Sequence, residues 1–235
     1  MVDAATLPRA AIAWRRAVRI IRSIHPPVDL FEDIAAPADW PLLLSAEQKT
    51  NPRLMDTIGA LDRVPPERRV GGPGASYLMA PFTHVGPDRP SRFSDGRYGV
   101  LYAGRRFETA LAETMHHHAR FMAATAEPPG WSSQFREILL DVAGELHDLR
   151  PFPDAPELAP GSYAASQALG RALREGGAEG IVYPSVRAEG AECVALFHPD
   201  LASGATQGRH LDYHWNGTRV DYYRDAADGQ VFRVL

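Results

Sequence analysis

Between Arg106 and Met122, apolar and small residues return at helical spacing. Phe107, Ala110, Leu111, Thr114, His118, Phe121 and Met122 fall at i, i+3, i+4, i+7, i+11, i+14 and i+15, which predicts one amphipathic helix. Glu113 flanks that stripe, at the border between core and cleft. Residues 162–175 predict a second helix through Ala165, Leu169, Ala172 and Leu173, ended by Gly176 and Gly177. Residues 8–24 read as a third, with Ile12, Val18 and Ile21 on one side and Arg15, Arg16, Arg19 and Arg22 on the other, stopped by Pro26 and Pro27. Leu54, Ile58 and Leu61 suggest a further helix over Pro52–Leu61.

The strand pattern is distributed differently. Tyr77–Ala80, Tyr98–Ala103, Phe135–Val142, Gly180–Tyr183 and Cys193–Phe197 read as strands, with loops at 64–76 and 81–96. The tail alternates over Arg209–Trp215, Thr218–Arg224 and Val231–Val234, and Asn216-Gly217 between the first two is a hairpin signal. Strands flank helices without regular βαβ alternation, which predicts an α+β fold with a largely antiparallel sheet. Residues 1–70 read as an N-terminal helical extension and residues 71–235 as the catalytic body.

Composition narrows the function classes. A chain of 235 residues, 45% hydrophobic and 23% charged, has the make-up of a globular protein long enough to bury a sizeable core. The net charge of −4 gives no global field for nucleic acid or an anionic membrane. Lys49 is the single lysine, so arginine, the better bidentate phosphate ligand, supplies the rest of the positive charge. Cys193 is the single cysteine and lies in an apolar run, which predicts a core thiol and rules out an intrachain disulfide. No apolar run is long enough to span a bilayer and no secretory signal pattern opens the chain, so the cytosol is the expected compartment.

The densest chemistry lies in Ser91–His118, SRFSDGRYGVLYAGRRFETALAETMHHH. Its loop, strand and helix bring Arg92, Tyr102 and Glu113 within two dozen residues. A cation, an aromatic face and a carboxylate suit a ligand with phosphates, a flat ring and a sugar whose glycosidic bond is to be broken. The arginine clamps phosphate, and a fixed carboxylate stabilises the oxocarbenium-like sugar. His116, His117 and His118 are consecutive on a helix, where side chains diverge by about 100° and do not converge on one metal ion. Glu113 and His117 share a face but lack the second histidine of a zinc-protease helix, so no metal is expected. Ser185 follows a strand without a G-x-S-x-G turn, and neither a dinucleotide-binding nor a P-loop glycine pattern is present.

SRFSDGRYGVLYAGRRFETALAET, followed by GIVYPSVRAEGAECVALFHP, resembles the RES-domain family, named for its Arg, Glu and Ser signature. The resemblance covers roughly residues 75–200 and is nearest the ParT subgroup. It implies an ADP-ribosyltransferase-like fold, NAD+ as substrate, and a place as the toxin half of a bacterial toxin–antitoxin pair whose partner is an Xre-type antitoxin. Carried over, Arg92 is the arginine before the strand, Tyr102 the strand tyrosine, Glu113 the helix glutamate and Ser185 the late serine, which the resemblance implies hydrogen-bonds the nicotinamide side or ribose of the substrate. Family members carry another arginine about twenty residues before the position of Arg92. Here that region reads SYLMAPFTH, leaving Tyr77 and His84 as the candidates for its place.

The leading expectation is therefore transfer of ADP-ribose from NAD+ to a cellular protein. Two other readings stand beside it. Water or phosphate as the acceptor would make the chain an NAD+-depleting glycohydrolase or phosphorylase. A non-catalytic module would instead use the basic 8–24 helix to dock an acidic partner.

Overall fold

The computed structural model describes residues 2–24, 36–47 and 59–234. Among these residues eight strands form one sheet: β1 (Arg9–Arg22), β2 (Leu101–Gly104), β3 (Trp131–Asp148), β4 (Gly180–Pro184), β5 (Glu192–Leu196), β6 (Ala202–Trp215), β7 (Val220–Asp225) and β8 (Val231–Arg233). Among the described residues four helices accompany it: α1 (Trp40–Glu47), α2 (Ala75–Thr83), α3 (Phe107–Ala123) and α4 (Ala164–Glu175). The sheet order is β1-β2-β5-β4-β3-β6-β7-β8, and β1 also pairs with β3. The extra pairing closes β1, β2, β5, β4 and β3 into a ring. All pairs are antiparallel except β3–β4, in line with the α+β expectation.

Residues 9–22 form a strand, not the predicted helix. β1 lies along β3 from Arg9 opposite His147 to Arg22 opposite Phe135. The misreading has a local cause. Ile12 and Trp14 alternate inward, but a bulge between Trp14 and Ala17 inserts one extra residue before Ala17, Val18 and Ile20. The slip carries the face of Ile12 and Trp14 on to Ala17 and Ile21 and turns Val18 and Ile20 toward α3, so both faces are buried in turn and the pattern counterfeits a longer period. Asp141 braces the bulge, accepting a hydrogen bond of 2.9 Å from the Arg16 backbone N–H and another from the Arg15 guanidinium. Arg16 itself sits at φ 53°. The basic-helix docking reading loses its helix with this correction.

Residues 77–80 belong to α2, not to a strand. Ala75, Leu78, Met79, Phe82 and Thr83 are buried at helical spacing, a pattern broken in the sequence by Pro81. The 64–76 loop contains a 3-10 turn at Pro66–Arg68 and ends in α2, which also takes the first residues of the expected 81–96 loop. Most of Pro52–Leu61 lies outside the described residues, and Leu61 opens a 3-10 turn. The helices near 106–122 and 162–175, the two central strands and the Asn216-Gly217 hairpin are where the sequence places them. β2 is shorter than expected, and β3 and β6 extend well beyond theirs.

Three apolar clusters hold the helices on the sheet. α2 covers Ile12, Trp14, Leu101, Leu140 and Val182. α4, through Leu169 and Leu173, packs on Ile181, Tyr183, Ala195 and Phe197. α3, through Ala110 and Met115, packs on Val18, Ile20, Leu211 and Tyr213. Each fully buried aliphatic or aromatic side chain contributes about 1.5–3 kcal/mol. These layers set the relative positions of β1, β2 and α3, which between them frame a cavity.

Candidate active site

Residues of β1, β2, α3 and the loop before β2 line a cavity of about 680 Å³. Two glycines allow its walls to close. A Cβ on Gly104 would lie 2.8 Å from the Ala110 backbone nitrogen, so glycine is what lets α3 lie directly against β2. A Cβ on Gly170 would lie 2.2 Å from the Phe93 carbonyl oxygen, so α4 approaches the Arg92 loop only because that position is bare.

The structure brings Arg92, Tyr102 and Glu113 to this one cavity. Arg92 is 7% exposed. Its guanidinium donates to the Ala159 carbonyl at 3.2 Å and the Glu157 carbonyl at 3.4 Å, and stands 4.8 Å from the centre of the Tyr163 ring. Tyr102 anchors the loop that carries Arg92. Its hydroxyl accepts the Phe93 N–H at 2.9 Å and shares a hydrogen bond of 2.8 Å with Ser91 Oγ. Burial pushes this phenol up to about 12, so it stays protonated at neutral pH. Gln167 on α4 grips the same loop through the Ser91 carbonyl at 3.0 Å.

Glu113 projects from the middle of α3, and Ser185 meets it from the turn after β4. The Ser185 hydroxyl donates to Glu113 Oε1 at 2.7 Å while accepting the Ala188 and Arg187 backbone N–H groups at 3.1 and 3.2 Å. Two amides thus fix the serine oxygen and leave its proton for the carboxylate. Among the described residues no other hydrogen bond reaches Glu113. Cys193 also lines the cavity, and burial raises its thiol well above the ordinary range, which keeps it protonated and non-nucleophilic.

Tyr77 and His84 are not among the residues around the cavity. The Tyr77 hydroxyl donates to Gln207 Oε1 at 3.2 Å on β6, and His84 caps α2 with its Nδ1 3.1 Å from Thr83 Oγ1. A further cation reaches the cavity from β1. Arg19 lines the cavity and donates to the Tyr102 carbonyl at 3.0 Å. Burial lowers its guanidinium to about 10, against a smaller upward pull from Tyr102, so it remains a cation at neutral pH. No motif signalled it, because the segment that delivers it carries the pattern of an amphipathic helix. Arg120 and His117 complete the α3 side of the cavity, and Tyr163 stands at the start of α4.

The histidine run divides as its helical spacing requires. His118 is buried against Phe135 and Tyr213, while His117 lines the cavity. Among the described residues no group of three or more His, Cys, Asp or Glu side chains is arranged to hold a metal ion. No helix among them is long and apolar enough to cross a membrane.

The arrangement sets three guanidinium groups, Arg19, Arg92 and Arg120, around a cavity holding one fixed carboxylate and tyrosine rings. Cations of this kind hold phosphate groups, and a carboxylate among them offsets positive charge developing on a bound sugar. Known proteins resemble the chain. A protein of Sinorhizobium fredii (strain NBRC 101917 / NGR234), called uncharacterized protein y4oC, is 30% identical over 216 residues, covering 91% of this chain and 89% of its own. The crystal structure of the M. tuberculosis MbcT–MbcA toxin–antitoxin complex contains a chain with 13% identity and a TM-score of 0.43, with 87% of each chain covered. The RES domain profile matches residues 66–216, a span that contains Arg92, Tyr102, Glu113 and Ser185. The chain belongs to the RES domain family.

Proposed function

We propose that this protein is the toxin of a bacterial toxin–antitoxin pair, that it cleaves NAD+, and that it transfers the ADP-ribose to a cellular protein. The observation that carries the reading is Glu113, held by Ser185, on the wall of a cavity that Arg19 and Arg92 also line. Arg92 and Arg19 bind the pyrophosphate of NAD+, and the Tyr102 ring packs beside the nicotinamide ribose. The bond between the ribose C1′ and the nicotinamide nitrogen breaks, and its electron pair leaves with nicotinamide. Glu113 stabilises the cationic sugar. A nucleophile on the acceptor then attacks C1′ and loses its proton. Family membership supports an Xre-type antitoxin as the partner that restrains the enzyme.

NAD+ consumption by wild type and Glu113→Gln, freed of any antitoxin, tests this. Wild type releases nicotinamide, and the variant, which keeps the shape and loses the charge, is at least about 100-fold slower. Equal turnover by the two proteins would overturn the assignment of Glu113. In the same reaction, radiolabel from the adenylate portion of NAD+ appears on a protein band. Loss of NAD+ without a labelled band would make water or phosphate the acceptor instead.

A further inference from the structure

Tyr163 is absent from the Arg, Glu and Ser signature, yet it lines the cavity. It caps α4, where its carbonyl accepts the Gln167 N–H at 2.8 Å, and its ring lies under the Arg92 guanidinium. Among the described residues that line the cavity, its hydroxyl is the buried side-chain atom left without a hydrogen-bond partner. The Tyr163 oxygen is buried and has no hydrogen-bond partner among the described residues. The contrast with Tyr102 is direct, because that hydroxyl is engaged by Ser91 and Phe93.

A buried hydroxyl without a partner is costly, and native proteins rarely retain one without a use. Here the orphan sits in the same pocket wall as a cation. The segment leading to Tyr163 wraps around two guanidiniums, since the Glu157 and Ala159 carbonyls take Arg92 and the Pro160 carbonyl takes Arg187 at 2.7 Å. A donor held next to Arg92 and lacking an acceptor fits an anionic oxygen that Arg92 also binds.

We infer that Tyr163 is a further substrate-binding residue, whose phenol donates a hydrogen bond to the pyrophosphate held by Arg92. The inference rests on NAD+ being the substrate. Tyr163→Phe is the informative change, because it keeps the ring under Arg92 and removes only the hydroxyl. We expect KM for NAD+ to rise about tenfold and kcat to stay within twofold, since a ground-state contact to a non-reacting group has been lost. ADP-ribose, titrated calorimetrically, weakens by a similar factor. The melting temperature of the free protein stays level or rises, because the deleted hydroxyl had no partner to lose.

An unchanged KM would overturn the inference while leaving the NAD+ reading intact. A lower melting temperature with unchanged ADP-ribose affinity would make the hydroxyl part of the framework and overturn it equally. Wild-type protein that neither turns over NAD+ nor binds ADP-ribose would overturn the substrate reading, and this inference with it.

Discussion

Ser185 shows how far a residue's role depends on what it touches. The resemblance implies a serine that contacts substrate, whereas its hydroxyl in the free protein is committed to Glu113 and held there by two backbone N–H groups. That geometry makes it a positioning residue for the carboxylate. Ser185→Ala is therefore expected to lower kcat about tenfold with KM changed by less than about threefold, and Ser185→Thr to restore most of the loss, in steady-state NAD+ kinetics. A rise in KM alone would place the hydroxyl on the substrate. Arg92, Tyr102 and Glu113 were legible because they sit close together in sequence on a loop, a strand and a helix. Arg19 was not, because only the pairing of β1 with its neighbours carries it to the cavity. Sequence proximity pointed to Tyr77 and His84, which α2 faces elsewhere.

At the scale of elements, α3 was the most readable segment because its apolar stripe repeats without interruption over its whole length. β1 was the least readable, since one inserted residue broke its alternation, and α2 was obscured by Pro81. The α3 stripe also includes a titratable group. His118 is 4% exposed and packs on Phe135 and Tyr213, and its Nε2 has no partner among the described residues. Burial, with a smaller contribution from Arg22, lowers its pKa to about 4. The unfolded chain takes up this proton near pH 6.5 and the folded chain only near pH 4. Between these values the unfolded state binds more protons, so stability is present above pH 6.5 and is lost as pH falls toward 4. The loss from this residue is at most about 3 kcal/mol. Melting temperatures of wild type and His118→Leu across pH 4–7 should diverge, with the variant showing the shallower acid decline. His116 and His117 shift in the same direction, so the variant flattens only part of the curve. Parallel curves would show that α3 does not hold His118 neutral.

Across the whole molecule, β1 decides what counts as the catalytic unit. The RES domain match begins at residue 66, and the sequence pattern reads residues 1–70 as an N-terminal helical extension. The sheet argues otherwise. β1 runs along β3 for nearly its full length and meets β2 where Val18 faces Gly104. It buries Ile12, Trp14, Ala17, Val18 and Ile20, and it supplies Arg19 to the cavity. Removing it opens the strand ring, exposes an edge of β3 and leaves the inner faces of α2 and α3 partly uncovered. At about 1.5–3 kcal/mol for each large buried side chain, the loss of Ile12, Trp14, Val18 and Ile20 comes to about 6–12 kcal/mol, comparable to the 5–15 kcal/mol that holds a typical domain together. A chain lacking residues 2–24 should therefore show no cooperative thermal transition by circular dichroism and no NAD+ turnover. Arg19→Met, with the strand intact, should melt as a folded protein and lose affinity for NAD+. If the shortened chain still melts cooperatively, β1 is an accessory strand and the fold is complete without it. If it also turns over NAD+, Arg19 is dispensable, and the phosphate-binding charge of the cavity resides in Arg92 and Arg120.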